Sequence, residues 1–179
     1  MELNTYIILL RGINVGGHKK IKMVDFKELL LDHGFQNIRT YIQSGNILCE
    51  SHQEKSVVQQ HIQSLIMENY GFEVTVFVLS TSELKHVVQN NPFTQAEVPI
   101  EKLYCTFLER QADKEGKAQL LQFKTEEEDF IFANSLLYFC YHNGYGKAKV
   151  SNSFVERKLK MQSTTRNWKT MLKLLNMSA

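Results

Sequence analysis

The first eighty residues switch between two hydrophobic periods in a fixed order, and that order constrains the fold more than composition does. Residues 7–10 (Ile-Ile-Leu-Leu) form a short apolar run of the kind buried in a sheet. Phe26, Leu29, Leu30 and His33 then recur at i, i+3, i+4 and i+7, one face of a helix that Gly34 closes as a left-handed cap. Residues 37–42 and 46–50 read as a hairpin joined through Gln43-Ser44-Gly45, a polar turn carrying the glycine such turns need. Ser51 and Glu54 have the capping-box spacing for a second helix along Val58, Ile62 and Leu65, which Gly71 ends. Residues 74–79 alternate valine with Thr75, Phe77 and Leu79, so a fourth strand has two apolar faces.

Strand, helix, strand, strand, helix, strand is the ferredoxin-like βαββαβ order. In that order the first two strands run parallel with the third between them. The loop after Leu10 and the turn at residues 43–45 therefore meet at one edge of the sheet. Beyond it, Leu84, Val87 and Val88 mark a connecting helix that stops before Asn91-Pro92. A strand over 102–108, a helix over 114–123 and a hairpin over 129–141 repeat the opening order. The reading is an α+β chain: a ferredoxin-like half over 1–80, a connecting helix and linker over 81–101, and a second, related α/β half with basic C-terminal helices over 102–179. In the last part Ser153 and Glu156 form a capping box, and Thr164 or Thr165 caps a helix with the stripe Trp168, Met171, Leu172 and Leu175.

At 179 residues folding buries roughly 70% of the unfolded chain's surface, enough for a real core. Glu2, Asn4 and Arg11 spoil a signal-peptide pattern and no stretch is apolar enough to cross a bilayer, so the expectation is a cytoplasmic protein without a membrane partner. Cys49, Cys105 and Cys140, odd in number and each in an apolar run, read as buried thiols. The acidic run Glu126 to Asp129 reads as a solvated turn.

The chemistry concentrates in residues 6–23, YIILLRGINVGGHKKIKM, where glycines and basic side chains follow a strand without one carboxylate. Gly12 and Gly17 have the spacing of a phosphate-binding P-loop, but His18 and Lys19 stand where that motif requires Lys and then Ser or Thr, and a hairpin follows instead of a parallel βαβ series. The nucleotide-hydrolase reading is rejected. A more general one stands: glycines let backbone N–H groups approach a ligand, and the following helix N-terminus carries about half a positive charge. Arg11, Asn14, Gly16, Gly17, His18 and Lys19 on this loop, with Gln43, Ser44 and Asn46 on the neighbouring turn, form a candidate pocket for a small anion, nucleotide-like or phosphate-like. Asn and Ser at such places equally serve the turn's own backbone. Arg166, between Thr165 and Asn167, joins the candidates as a grip at a helix start.

Two alternatives stay open. The basic residues from Lys147 onward suit a nucleic-acid backbone, and an enzyme acting on a phosphorylated or acylated small molecule would draw on His18 or His142, each beside a glycine loop, as acid or base. No catalytic triad or metal-ligand set is legible; Cys49-x-x-His52 is at most half of one. The cofactor and oligomeric state are unknown from the sequence.

Four ordered segments, YIILLRGINVGGHKKIKM, the hairpin TYIQSGNI, Asn91-Pro92-Phe93 and the terminal TTRNWKT, resemble the bacterial family called domain of unknown function 1697. The resemblance spans nearly the whole chain. It implies a cytosolic α+β protein with a ferredoxin-like first half and carries over no activity, substrate or cofactor. Members often have a serine where this chain has Lys147-Ala148.

Overall fold

The computed structural model describes residues 2–96 and 98–179; Met1 and Glu97, the latter inside the predicted linker, lie outside the described residues. The chain divides into two compact units, Met1–Val87 with Lys173–Ala179, and Val88–Leu172.

The first unit runs β1 (Asn4–Leu10), α1 (Met23–Asp32), β2 (Gln36–Tyr41), β3 (Asn46–Ser51), α2 (Lys55–Tyr70) and β4 (Val76–Ser80), with α3 (Thr81–Gln89) following. Its sheet has the order β2-β3-β1-β4 with every neighbouring pair antiparallel, the ferredoxin-like arrangement. β1 is central, which is why it reads as an unbroken apolar run: Ile7, Ile8, Leu9 and Leu10 are all fully buried. One core gathers Ile8 and Leu10 of β1, Phe26 and Leu30 of α1, Ile47 of β3, and Val58 and Ile62 of α2. Each such side chain contributes about 1.5–3 kcal/mol by leaving water.

The second unit repeats the plan: β5 (Leu103–Leu108), α4 (Lys114–Leu121), β6 (Glu128–Ala133), β7 (Leu136–Tyr141), α5 (Asn152–Leu159) and β8 (Ser163–Asn167), before α6 (Trp168–Met177). Its sheet order, β6-β7-β5-β8, is that of the first sheet. The equivalence reaches single hydrogen bonds. Leu10 N donates to Gly45 O at 2.8 Å and Arg11 N to Thr75 O at 3.0 Å; at the matching places Leu108 N donates to Ser135 O at 2.9 Å and Glu109 N to Gln162 O at 3.0 Å. In both units the end of the first strand is clamped between the hairpin turn and the residue ahead of the fourth strand.

Several local expectations are corrected. Thr164, Thr165 and Arg166 do not open a helix; they lie in β8, where Thr165 pairs with Thr106 of β5 and their hydroxyls hydrogen-bond at 2.8 Å. β-branched threonines suit a pleated surface once a partner strand is present. Asn167 caps α6, its Oδ1 accepting from Thr170 N at 2.8 Å. On α6 the buried residues are Trp168, Thr170, Met171 and Leu174, while Leu172 is 36% exposed. Ser151 rather than Ser153 caps α5, through Phe154 N, and α2 starts after Glu54 without a side-chain cap because Ser51 Oγ accepts from Gln53 N instead. The fourth strand begins two residues later than the valine alternation suggests. Glu128 and Asp129 belong to β6, not to a solvated turn.

Candidate functional site

Between β1 and α1 the chain spends residues 11–22 on a loop that folds back on itself. His18 N donates to Val15 O at 3.0 Å, and Gly16 (φ +57°) and Gly17 (φ +78°) occupy the two central positions, both left-handed as in a type I′ turn. Asn14 N donates to Lys19 O at 3.2 Å, extending the turn into a miniature hairpin. Asn14 (φ +56°) and Lys19 (φ +46°) flank it in left-handed backbone too, a conformation that asparagine tolerates better than most residues.

The side chain of Asn14 fastens this hairpin down. Its Nδ2 donates to Ile21 O at 2.8 Å and to Gln43 O at 2.7 Å, and its Oδ1 accepts from Ile21 N at 2.9 Å. Both amide hydrogens are therefore occupied within the protein, so Asn14 acts as a strap. Ile13 and Ile21 are each 1% exposed and anchor the loop's base, while Val15 at its tip is exposed. That pairing went unread in the sequence, although two isoleucines in a glycine-lysine segment were a usable signal. Lys19 Nζ donates to Glu73 O at 2.6 Å, a carbonyl that leaves its charge unneutralised. His18 and Lys20 are exposed, and Lys22 is the residue before α1, which no side chain caps.

The neighbouring turn is brought against this loop. Gly45 lies at φ +76°, and a Cβ there would sit 2.7 Å from Leu10 Cβ and 3.0 Å from Ile13 Cδ1. Asn46 is fully buried, its Nδ2 donating to Tyr41 O at 3.1 Å and Ser44 Oγ at 2.9 Å. Gln43 is exposed beside the loop and holds it through its own carbonyl. Arg11, Asn14, Gly16, Gly17, His18, Lys19, Gln43, Ser44 and Asn46 thus belong to two segments joined by hydrogen bonds. Within that set Asn14 and Asn46 spend their amides on the protein itself.

Arg166 is placed differently. It sits in β8 opposite Cys105, nine-tenths buried, with Nη1 donating to Thr164 Oγ1 at 2.7 Å and Thr165 O at 3.0 Å. Burial lowers its pKa from the ordinary guanidinium value to about 10. The second glycine loop is filled from within: Glu128 takes Lys149 N at 2.7 Å and Val150 N at 2.8 Å on its two carboxylate oxygens, and Tyr145 stacks on Tyr104 with ring centres 5.0 Å apart. His142 is exposed, with Nε2 3.3 Å from Cys140 Sγ. Burial raises all three thiols, Cys49 to about 12 and Cys105 well above the ordinary thiol value, so none is a ready nucleophile. Among the described residues no group of three or more metal-ligating side chains occurs, and no helix is long and apolar enough to cross a membrane.

Residues 3–138 match the family model described as "Protein of unknown function (DUF1697)". Among solved structures, that of the conserved bacterial protein SP0830 from Streptococcus pneumoniae is similar, with a TM-score of 0.76 at 22% identity over 99% of this chain and 100% of that one. This likeness concerns the fold. No curated protein matches the chain.

Proposed function

The chain belongs to the DUF1697 family of proteins of unknown function, and from that premise we propose that it is a cytoplasmic binding protein for a small anionic ligand, nucleotide-like or phosphate-like, held at the loop after β1. One observation carries the reading: the two units provide an internal comparison. Where the second unit crosses from β5 to α4 with residues 109–113, the first spends residues 11–22 on the same crossing. The short crossing holds Glu109, Arg110 and Asp113, with Glu109 ion-paired to Arg110 and Asp113 capping Gly116 N. The long one holds Arg11, His18, Lys19, Lys20 and Lys22 and no carboxylate. The second unit closes the same sheet without such an extension, so sheet topology does not require it; Ile13 and Ile21 seat the base of the long loop in the core, which leaves its basic glycine tip without a packing role.

Concentrating Lys19, Lys20 and Lys22 on one loop costs stability through self-repulsion, and a glycine tip loses more conformational entropy on folding than a tip of other residues. Both costs are offset when an anion sits among the cations and the backbone N–H groups. The strap from Asn14 to Gln43 pre-organises the loop, reducing the ordering cost at binding. Gln43 and Ser44 would orient the ligand. Three buried, unpaired cysteines suit a reducing compartment.

A thermal-shift screen against orthophosphate, nucleotides, sugar phosphates and coenzymes tests the reading. A ligand at a hundred times its dissociation constant adds about 2.7 kcal/mol, which for a chain this size raises Tm by roughly 5–11 °C. Lys20→Ala with Lys22→Ala should remove most of that shift. A panel in which no anion moves Tm, or one whose shift survives the double variant, would reject the site.

A further inference from the structure

A second cluster lies elsewhere in the first unit, where α1 ends against the middle of α2. His33, the residue after α1, and His61 on α2 face each other with ring centres 6.1 Å apart and planes at 77°. Each ring is held by its Nδ1. His33 Nδ1 is 2.7 Å from Leu29 O, and His61 Nδ1 is 3.3 Å from Gln53 Oε1. Both partners are carbonyl oxygens, which only accept, so in the neutral rings Nδ1 carries the hydrogen and Nε2 carries the lone pair. Phe35, 5.3 Å from His61 ring to ring, backs the pair on one side.

We propose that His33 and His61 form a transition-metal site, with the two Nε2 atoms as ligands and water completing the coordination of a divalent ion. An imidazole whose other nitrogen is tied to a carbonyl is the usual arrangement of a metal-bound histidine, because that hydrogen bond fixes the tautomer and the ring. Two metal–nitrogen bonds of about 2.0–2.1 Å meeting at a tetrahedral angle put ring centres roughly 5 Å apart. The observed separation exceeds this by about 1 Å and the rings meet edge-on, so binding has to shift and turn the His33 ring, which is exposed while His61 is half-buried. Two nitrogen donors and no thiolate favour copper over nickel and zinc. The site shares no residue with the basic loop after β1, so it stands or falls independently of the anion reading.

The experiment uses the full chain and Cu2+ alone. In proton NMR of the histidine ring signals, substoichiometric Cu2+ should broaden His33 and His61 first and leave His18, His52, His86 and His142 sharp. Isothermal titration should give one Cu2+ per chain. His33→Gln and His61→Gln should each lower the affinity at least tenfold, and circular dichroism of each variant checks that it remains folded. Broadening centred on any other histidine would overturn the assignment, as would an affinity unchanged in both folded variants.

Discussion

Gly45→Ala isolates the junction on which the candidate site is built. Alanine at φ +76° meets the left-handed penalty of about 1–2 kcal/mol. Its Cβ also arrives 2.7 Å from Leu10 Cβ and 3.0 Å from Ile13 Cδ1. Leu10 Cβ is fixed to the central strand and cannot swing aside, so the turn must retreat, stretching the 2.8 Å bond from Leu10 N to Gly45 O. Overpacking of this kind costs about 1–3 kcal/mol, giving a total of roughly 2–5 kcal/mol. For a chain of this size that corresponds to a fall in Tm of roughly 4–20 °C. Gly71→Ala is the control, since Gly71 has φ +75° and nothing within 4 Å of an added Cβ. It should show the conformational penalty alone. Thermal denaturation followed by circular dichroism compares the two. Equal losses would refute the argument that loop and turn are locked by close approach at Gly45.

Asn14→Ala removes three hydrogen bonds from the strap at about 0.5–1.5 kcal/mol each; amide exchange should accelerate across residues 14–21 while the centre of α2 stays protected. Glu128→Gln loses the charged acceptor of Lys149 N and Val150 N, so exchange should quicken around residues 145–150, with a stability loss of about 1–3 kcal/mol measured by urea denaturation. Alkaline stability follows from Cys49, whose folded pKa is raised to about 12 by burial and by the neighbouring Glu50 carboxylate. The unfolded thiol ionises near 9 and the folded one does not, so the stabilisation is complete below that point and declines by about 1.4 kcal/mol per pH unit up to the folded value. Cys49→Ala should flatten that alkaline slope in denaturation midpoints between pH 9 and 11; an unchanged slope would contradict it.

The order of elements in the first unit was legible because its signals are local. Strand and helix periods differ, Gly34 and Gly71 end helices within one turn, and glycine in the hairpin turn names its own backbone. The meeting of the loop after β1 with residues 43–45 followed from that order, since inserting β3 between β1 and β2 leaves one place for both ends. The hydrophobic runs and the hairpin about Asn134-Ser135 announced the second unit in the same way. Its last strand stayed hidden because Ser163 to Asn167 carries no apolar alternation and looks like a capping segment. Only β5, offering Thr106 opposite Thr165, makes a strand the better outcome.

What the sequence determined by itself, then, is the succession of elements and the basic character of residues 11–22, both of which depend on near neighbours. Tertiary structure decided where each polar side chain spends its hydrogen bonds. Asn14 reaches a carbonyl 29 positions away, Glu128 reaches two amides more than 20 positions ahead, and His33 comes beside His61 across two helices. A side chain with several donors and acceptors takes whichever partners the packed backbone brings within about 3 Å, and packing sets those partners at separations no local pattern encodes.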